Sequence, residues 1–387
     1  MPIAFRPGEV ADGPAAYDGF VQTTMPNDVI TSIEQVTADW LTTVLARSGA
    51  LTRGAVASFD VADGRGNWST NARLDVTYTA DAQGERPQRL FLKMVDANDD
   101  EEPFDDSEVT YYTRDYVDLP DAPLLRCYDA AWSPALMRYH ILLDDVSETH
   151  VEARAKEPSL SHGLALAEAL ATLHARWWGG PGLAAAGAAM HSASHIQTFA
   201  AIAEPGVDHI LGRFSDQLQP HWPALLRELF AAHPPAMVRR TADPNGFTLI
   251  HGDTGLGNIL VPRHGDRLLY LIDRQPFNWS LTKWLGAYDL VYAIVLDWPV
   301  ELRQQCEIPI LQRYHAGLIE RGVADYPWQR LWDDYRLCAA MGVYVAVEYC
   351  RGGVNERWID SWLTMLQRAL TACDDLDCRA LWKSVDV

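Results

Sequence analysis

The sequence predicts an α+β chain in which a small β-rich lobe precedes a large, mainly helical lobe. Three observations carry this prediction. Apolar and polar residues alternate with period two in the first third, as in half-buried strands. From about residue 150 onward apolar residues recur at helical spacing. One short β-type stretch, residues 247–273, interrupts the helical region.

Each element follows from local pattern. Residues 1–27, rich in Gly, Pro and Ala, read as an arm. Asp28 opens a predicted helix through Leu51, with Val36, Trp40, Leu41 and Val44 on one face. Leu74, Val76 and Tyr78 alternate with Arg73, Asp75 and Thr77, which predicts a strand. DAQGERPQR is a turn, and LFLKMV a short apolar strand that carries Lys93. Residues 96–121 hold eleven acidic residues and one arginine, so ANDDEEP reads as a solvated loop. Asp106 or Ser107 caps a helix over EVTYYTRDYVD, and ALMRYHILLDD forms a further strand. SHGLALAEALATLHARWWGG is amphipathic, capped by Ser161, with Leu166, Leu170, Leu173 and Trp177 on one face. Gly179, Gly180 and Pro181 stop it. Within 247–273, NILV and LLYLI pair as a hairpin about RHGD. The predicted organisation is an arm (1–27), an N-lobe with a connector at its end (28–146) and a C-lobe (147–387).

Composition removes several function classes. With 387 residues, 48% apolar and 22% charged, the chain is folded and globular. A net charge of −20 repels phosphate backbones, so nucleic acid is not a partner, and it favours a cationic small molecule. No apolar run approaches the roughly 20 residues that cross a bilayer, and the N-terminal stretch has no basic-then-apolar leader. The reading is cytoplasmic, with no membrane partner. The cysteines at 127, 306, 338, 350, 373 and 378 form no CxxC pair and read as reduced thiols. His191 and His195 lack further zinc ligands. Neither a Walker A motif nor GxSxG is present, which excludes a P-loop and a nucleophile elbow.

The chemistry concentrates in His251-Gly-Asp253-Thr-Gly-Leu-Gly-Asn258, followed by Asp273 at the end of the hairpin. Magnesium takes oxygen ligands and shares itself with substrate phosphates. Asn258 and Asp273 offer an amide and a carboxylate oxygen from adjacent strand ends, and Asp253 can take a proton from a hydroxyl. Gly252, Gly255 and Gly257 allow a tight loop against a bulky ligand. A plain turn at HGD and a loop-capping Asp273 is the simpler alternative. The position between FTLI and a hairpin ending in Asp favours a site.

On these residues the sequence resembles the aminoglycoside phosphotransferase/choline kinase superfamily, which has a bilobal protein-kinase-like fold. HGDTGLGNIL with LID is similar to its catalytic and metal-binding loops. GRGNWSTNARLDVTY resembles the nucleotide loop, LFLKMV the strand of the ATP lysine, and Phe104-x3-Glu108-x3-Tyr112 the helix bearing its carboxylate partner. ILLDDV resembles the interlobe hinge, and ALATLHARWW the helix behind the catalytic loop. Asp273-x-Gln275 and Tyr288-Asp289-Leu290-x-Tyr292 are similar to the ecdysteroid-kinase-like (CHK-kinase-like) branch. The likeness spans about residues 30–300 in order. It implies that ATP or GTP and Mg²⁺ are the cofactors. Lys93, held by Glu108, binds the α- and β-phosphates, while Gly66, Asn67 and Ser69 cover them. The base bonds to backbone near Asp144 and Val146. Asn258 and Asp273 hold Mg²⁺, Asp253 orients or deprotonates the acceptor, and His251 and Asp289 brace the catalytic loop. Arg274 stands where protein kinases carry the Phe of DFG.

The expected activity is transfer of the γ-phosphate to a hydroxyl of an antibiotic or other natural product, as in antibiotic-resistance kinases. A metabolic kinase of an amino alcohol, sugar or steroid and a nucleotide-binding pseudokinase are the alternatives. Retention of Lys93, Asp253 and Asp273 favours an active enzyme. Glu348, Trp284 and Tyr349 are candidate acceptor-binding residues. A carboxylate about 4 Å from an ammonium is worth roughly 1 kcal/mol in water and about 4 at an effective dielectric of about 20. The assembly is a monomer or a homodimer.

Overall fold

Five antiparallel strands form the N-lobe sheet, in the order Val56–Arg65, Ser69–Tyr78, Arg89–Asp96, Arg138–Asp144, Cys127–Ser133. The computed structural model describes residues 29–65, 69–97, 105–266 and 268–382. Period-two alternation sorts the central strand: Leu90, Leu92 and Met94 are buried on one face, with Leu74, Val76 and Leu142. Helix Ala38–Arg47 covers that face through Leu41, Val44 and Leu45. On the other face, Val95, Ile141 and Leu143 join the larger core that continues into the C-lobe. Lys93 pairs in register with Asn71 and Ile141, so its side chain leaves this inward face.

The helix expected from Asp28 to Leu51 is shorter. Thr37 starts it by accepting a hydrogen bond from the Trp40 N–H, and Gly49, with φ +76°, ends it. Leu51 instead opens the strand Leu51–Arg53, paired with Gly84. The helix over EVTYYTRDYVD is one α turn, Ser107–Thr110, that passes into a π turn, Tyr111–Asp115. Asp106 holds the N-cap position, but its side chain caps no amide; the Ser107 N–H donates instead to Asp105 Oδ1 at 2.8 Å. Likewise Ser159, not Ser161, caps Leu160–Arg176. That helix ends ahead of the predicted Gly-Gly-Pro stop, whose residues begin the next one, Gly179–Ala185.

In the C-lobe, Leu160–Arg176 packs against Val300–Glu320, and the largely buried Trp328–Glu348 packs against Ile359–Asp375. The predicted hairpin is present, with Ile259–Pro262 antiparallel to Tyr270–Leu271. A third strand, His150–Glu152, was not foreseen and pairs on the other side of Ile259–Pro262. Three residues give too short a periodic signal to read. The six cysteines are unpaired. No helix among the described residues is long and apolar enough to cross a membrane.

Gly206 opens a close crossing. A Cβ there would lie 2.2 Å from the Val347 carbonyl oxygen, on the helix that carries Tyr344 and Glu348. Backbone cannot yield as a side-chain tip can, so Gly206→Ala should lower stability by about 1–3 kcal/mol. Urea unfolding measures this, and an unchanged midpoint would show that the helices are not in contact there.

Candidate active site

Lys93 sits where the two lobes meet. Its Nζ lies 2.8 Å from both carboxylate oxygens of Glu108 and 2.8 Å from Asp273 Oδ1. Glu108 is buried, and Tyr139 donates its hydroxyl to Glu108 Oε2 at 2.6 Å. Burial alone would strip the lysine proton, but the two carboxylates outweigh it and hold the ammonium well above the usual lysine range.

The loop from His251 to Asn258 hangs on Asp289, which is fully buried on the helix Ala287–Val291. Its carboxylate accepts from the His251 N–H at 2.7 Å, the Gly252 N–H at 2.8 Å and the His174 ring at 3.0 Å. His174 in turn meets the Tyr314 hydroxyl at 2.8 Å. Burial would raise the Asp289 carboxyl, but these donors and the two imidazoles bring it below the ordinary value. Gly252, at φ +83°, lets successive N–H groups point at one carboxylate. The His251 ring braces the loop from the other side, with Nε2 2.9 Å from the Ile272 carbonyl and Nδ1 accepting from the Asp253 N–H at 3.3 Å. Burial depresses the His251 ring to about 4, so it is neutral at physiological pH.

The hairpin register sets the next two residues side by side. Ile259 faces Leu271, and the Ile272 N–H donates to the Asn258 carbonyl at 3.0 Å, so Asn258 and Asp273 leave adjacent strand ends. The Asn258 Nδ2 donates to the Asp253 carbonyl at 3.0 Å, which turns the amide oxygen away from the loop. Asp273 is 49% exposed to the cleft and adopts φ +57°, a left-handed conformation that Asp tolerates better than most residues. Burial would raise its pKa, but Lys93 holds the carboxyl below the ordinary value. One amide oxygen beside one ionised carboxylate suits a hard divalent cation that keeps room for phosphate and water. These residues fit Mg²⁺.

Arg274, which follows Asp273, is buried rather than free. Its guanidinium donates to Asp115 Oδ2 at 3.0 Å and lies 5.5 Å from the centre of the Tyr111 ring. It therefore ties the metal loop to the helical segment that supplies Glu108. The Ser107 hydroxyl adds a bond to the Gln275 carbonyl at 2.9 Å.

Beyond Asp253 opens a cavity of about 1110 Å³. Asp253, Asn258, Tyr292, Asp297, Glu348 and Tyr349 line it. Burial raises the Asp253 carboxyl to about 6, while hydrogen bonds from Tyr292 and Asn258 restrain the rise. Asp297 accepts from the Leu256 N–H at 2.8 Å and so fixes the loop's far end. Trp284 is a correction: it is wholly buried, 5.2 Å from Phe247 edge to face, with its ring N–H toward the Met341 sulfur. It belongs to the core and does not line the cavity.

At the segment expected to be the hinge, the Val146 carbonyl accepts from the Thr149 and His150 N–H groups. The Asp144 N–H donates to the Arg126 carbonyl. The Ser69 hydroxyl donates to Asn71 Oδ1 at 3.0 Å. Gly66 and Asn67 lie outside the described residues. His191 and His195 stack with ring centres 4.2 Å apart, and His191 Nε2 accepts from the Thr282 and Lys283 N–H groups.

No family model and no curated protein matches the chain. Its structure is similar to that of choline kinase from Cryptosporidium parvum Iowa II, with TM-score 0.50 and 10% identity, over 84% of this chain and 91% of that one. The chain has the choline kinase fold. An ethanolamine kinase from Plasmodium vivax aligns with TM-score 0.49 and 11% identity, over 81% of this chain and 82% of that one. A spectinomycin phosphotransferase solved with ADP and spectinomycin aligns with TM-score 0.48 and 13% identity, over 87% of this chain and 99% of that one.

Within this kinase-like fold, four residues escaped sequence reasoning. Tyr292 opens, and Asp297 follows, a π turn, Tyr292–Leu296, which breaks the helical phase that would have aligned them. Asp115 and Arg154 carry no motif; Arg154 lines the cavity beside Gly257.

Asp289 gives a pH prediction. Its folded pKa is depressed, so its stabilisation is complete above the unfolded value, near about 4, and fades as pH falls through the folded value. Asp289→Ala should cost about 3–5 kcal/mol at neutral pH, and the gap to wild type should narrow in acid. Denaturant titrations at several pH values test this; a pH-independent gap would deny the carboxylate that role.

Proposed function

We propose that the chain is an ATP- or GTP-dependent, Mg²⁺-dependent small-molecule kinase that phosphorylates an alcohol. The supporting observation is the convergence of Lys93, Glu108 and Asp273 from both lobes, 2.8 Å apart, next to a cavity floored by Asp253. The choline kinase whose fold the chain shares is itself a kinase of a small alcohol by name. The motifs around Asp273 and Tyr288 favour the ecdysteroid-kinase-like branch within this reading.

Phosphoryl transfer depends mainly on positioning and charge neutralisation. Lys93, held extended by Glu108, binds the α- and β-phosphates, and Ser69 contributes to their cover. The base stacks at the hinge and bonds to the backbone of Asp144 and Val146. Magnesium, held by the Asn258 amide oxygen and the Asp273 carboxylate, supplies charge neutralisation on the phosphates when bound. Asp253 orients the acceptor hydroxyl. The acceptor oxygen forms its bond to the γ-phosphorus as the bond from that phosphorus to the bridging oxygen breaks. The nucleoside diphosphate leaves, and the hydroxyl proton passes to Asp253. A carboxyl near 6 is ionised at neutral pH and still basic enough to take that proton. The cavity is far larger than a two-carbon alcohol needs, which supports an antibiotic or other natural product as acceptor. Six free cysteines accord with the cytoplasm, where the nucleotide is available.

Asp253→Asn should lower kcat by about 10²–10⁴-fold while nucleotide still raises the melting temperature. Wild type that binds nucleotide yet transfers no phosphate to any alcohol would make the chain a pseudokinase.

The acid limb of kcat/KM should fall near pH 6, since activity needs the carboxylate and is lost as it protonates. Tyr292→Phe removes a bond that holds this pKa down, so the limb should move to higher pH. A limb that stays in place would remove Tyr292 from the site.

A further inference from the structure

The strand His150–Glu152 leads straight to the loop of Asp253. Glu152 pairs with Leu260, two residues past Asn258, and a short helical turn, Ala153–Ala155, carries the chain on beside that loop. There the Arg154 N–H donates to the Leu256 carbonyl at 3.1 Å. The Arg154 guanidinium lies against Gly257: a Cβ on that residue would come within 2.7 Å of Arg154 Cζ and closer still to Nη2. Gly257 does not adopt a positive φ, so it is this contact, and not the backbone, that requires a glycine there. Arg154 lines the cavity together with Asp253, Gly257 and Asn258. Its charge is felt across the cavity: burial raises the Asp297 carboxyl, while the Leu256 N–H, Arg368 and Arg154 hold it back.

The guanidinium has capacity to spare. Arg154 Nε meets Glu152 at 2.6 Å, but the two side chains are 65% and 50% exposed, and an ion pair in that setting is worth little. It engages Nε, while Nη2 faces the loop. The other arginines of the cavity lie elsewhere. Arg351 donates to Glu348 at 2.7 Å, and Arg357 lies 5.2 Å from the centre of the Trp358 ring. On the N-lobe side, Lys93 is already answered by Glu108 and Asp273. A phosphoryl group between the metal ligands and Asp253 would therefore meet Arg154 as its cation from the C-lobe. Phosphoryl transfer spreads negative charge over three equatorial oxygens, and the guanidinium fork matches two of them.

We propose that Arg154 is a catalytic residue: it binds the γ-phosphoryl group through its Nη edge and holds it in line with the hydroxyl at Asp253. This rests on the phosphotransfer reading. The acceptor oxygen bonds to the γ-phosphorus, the bond to the bridging oxygen breaks, and the hydroxyl proton passes to Asp253. The guanidinium keeps its contact with the group in transit, where an arginine supplied to a transferring phosphoryl is worth about 10³–10⁵ in rate.

The test reads the third phosphate directly and needs no acceptor. The Mg²⁺ complexes of ADP and of its β,γ-imido triphosphate analogue, with their guanine counterparts, are titrated calorimetrically into wild type, Arg154→Ala and Glu152→Gln. Arg154→Ala should weaken the triphosphate analogue about tenfold and leave the diphosphate within about twofold. Arg154→Gln, which keeps the stem, repeats the measurement if the alanine variant does not fold. Glu152→Gln should bind both nucleotides as wild type does. An undiminished triphosphate affinity, or equal losses for both nucleotides, overturns the proposal. So does a loss in Glu152→Gln as large as that in Arg154→Ala, which would make the pair a structural brace. Wild type that binds neither nucleotide sinks the phosphotransfer reading and the role of Arg154 with it. A selective triphosphate loss in a protein that phosphorylates no alcohol leaves the γ-phosphate contact standing and sinks the phosphotransfer reading alone.

Discussion

One ammonium group joins the two halves of this protein. Lys93 comes from the middle of the N-lobe sheet, Glu108 from the segment beside it, and Asp273 from the end of a C-lobe hairpin. The three groups compensate one another, since a lysine buried without a counter-charge would deprotonate. The register of the sheet fixes where the lysine emerges, and the register of the hairpin fixes where the second carboxylate waits.

Two further buried polar networks keep that geometry rigid. Around Asp289, backbone amides and an imidazole satisfy a fully buried carboxylate, which therefore fixes the direction of the catalytic loop. Around Arg274, a guanidinium meets Asp115 and the carbonyl of Ile250. Such networks cost desolvation energy and repay it only when fully satisfied. Their value here lies in position: each pins a loop whose residues reach into the cleft. Asp297 performs the same service at the far end of the catalytic loop through one backbone amide.

Most of this architecture was legible because its chemistry is local. The spacing of His251, Asp253 and Asn258, and the hairpin that returns the chain to Asp273, encode the site within a short stretch. The alternation around Lys93 and the periodicity after residue 150 encode the two lobes. What escaped depends on distant partners. Arg274 reads as a variable position until Asp115, 159 residues away, is seen opposite. Trp284 reads as a pocket aromatic because hydropathy does not separate a wall from a core; only packing against Phe247 and Met341 does. The helix starting at Ala38 and the cap at Ser159 differ from expectation by local competition, since a nearby Thr or Ser hydroxyl captured the first amides.

The Arg274–Asp115 pair also bears on how such a protein could be controlled. Swinging the segment after Asp273 outward would take Arg274 from its buried partner and leave Asp115 with Arg114 alone. The Arg274 contact therefore biases this segment toward the arrangement seen here.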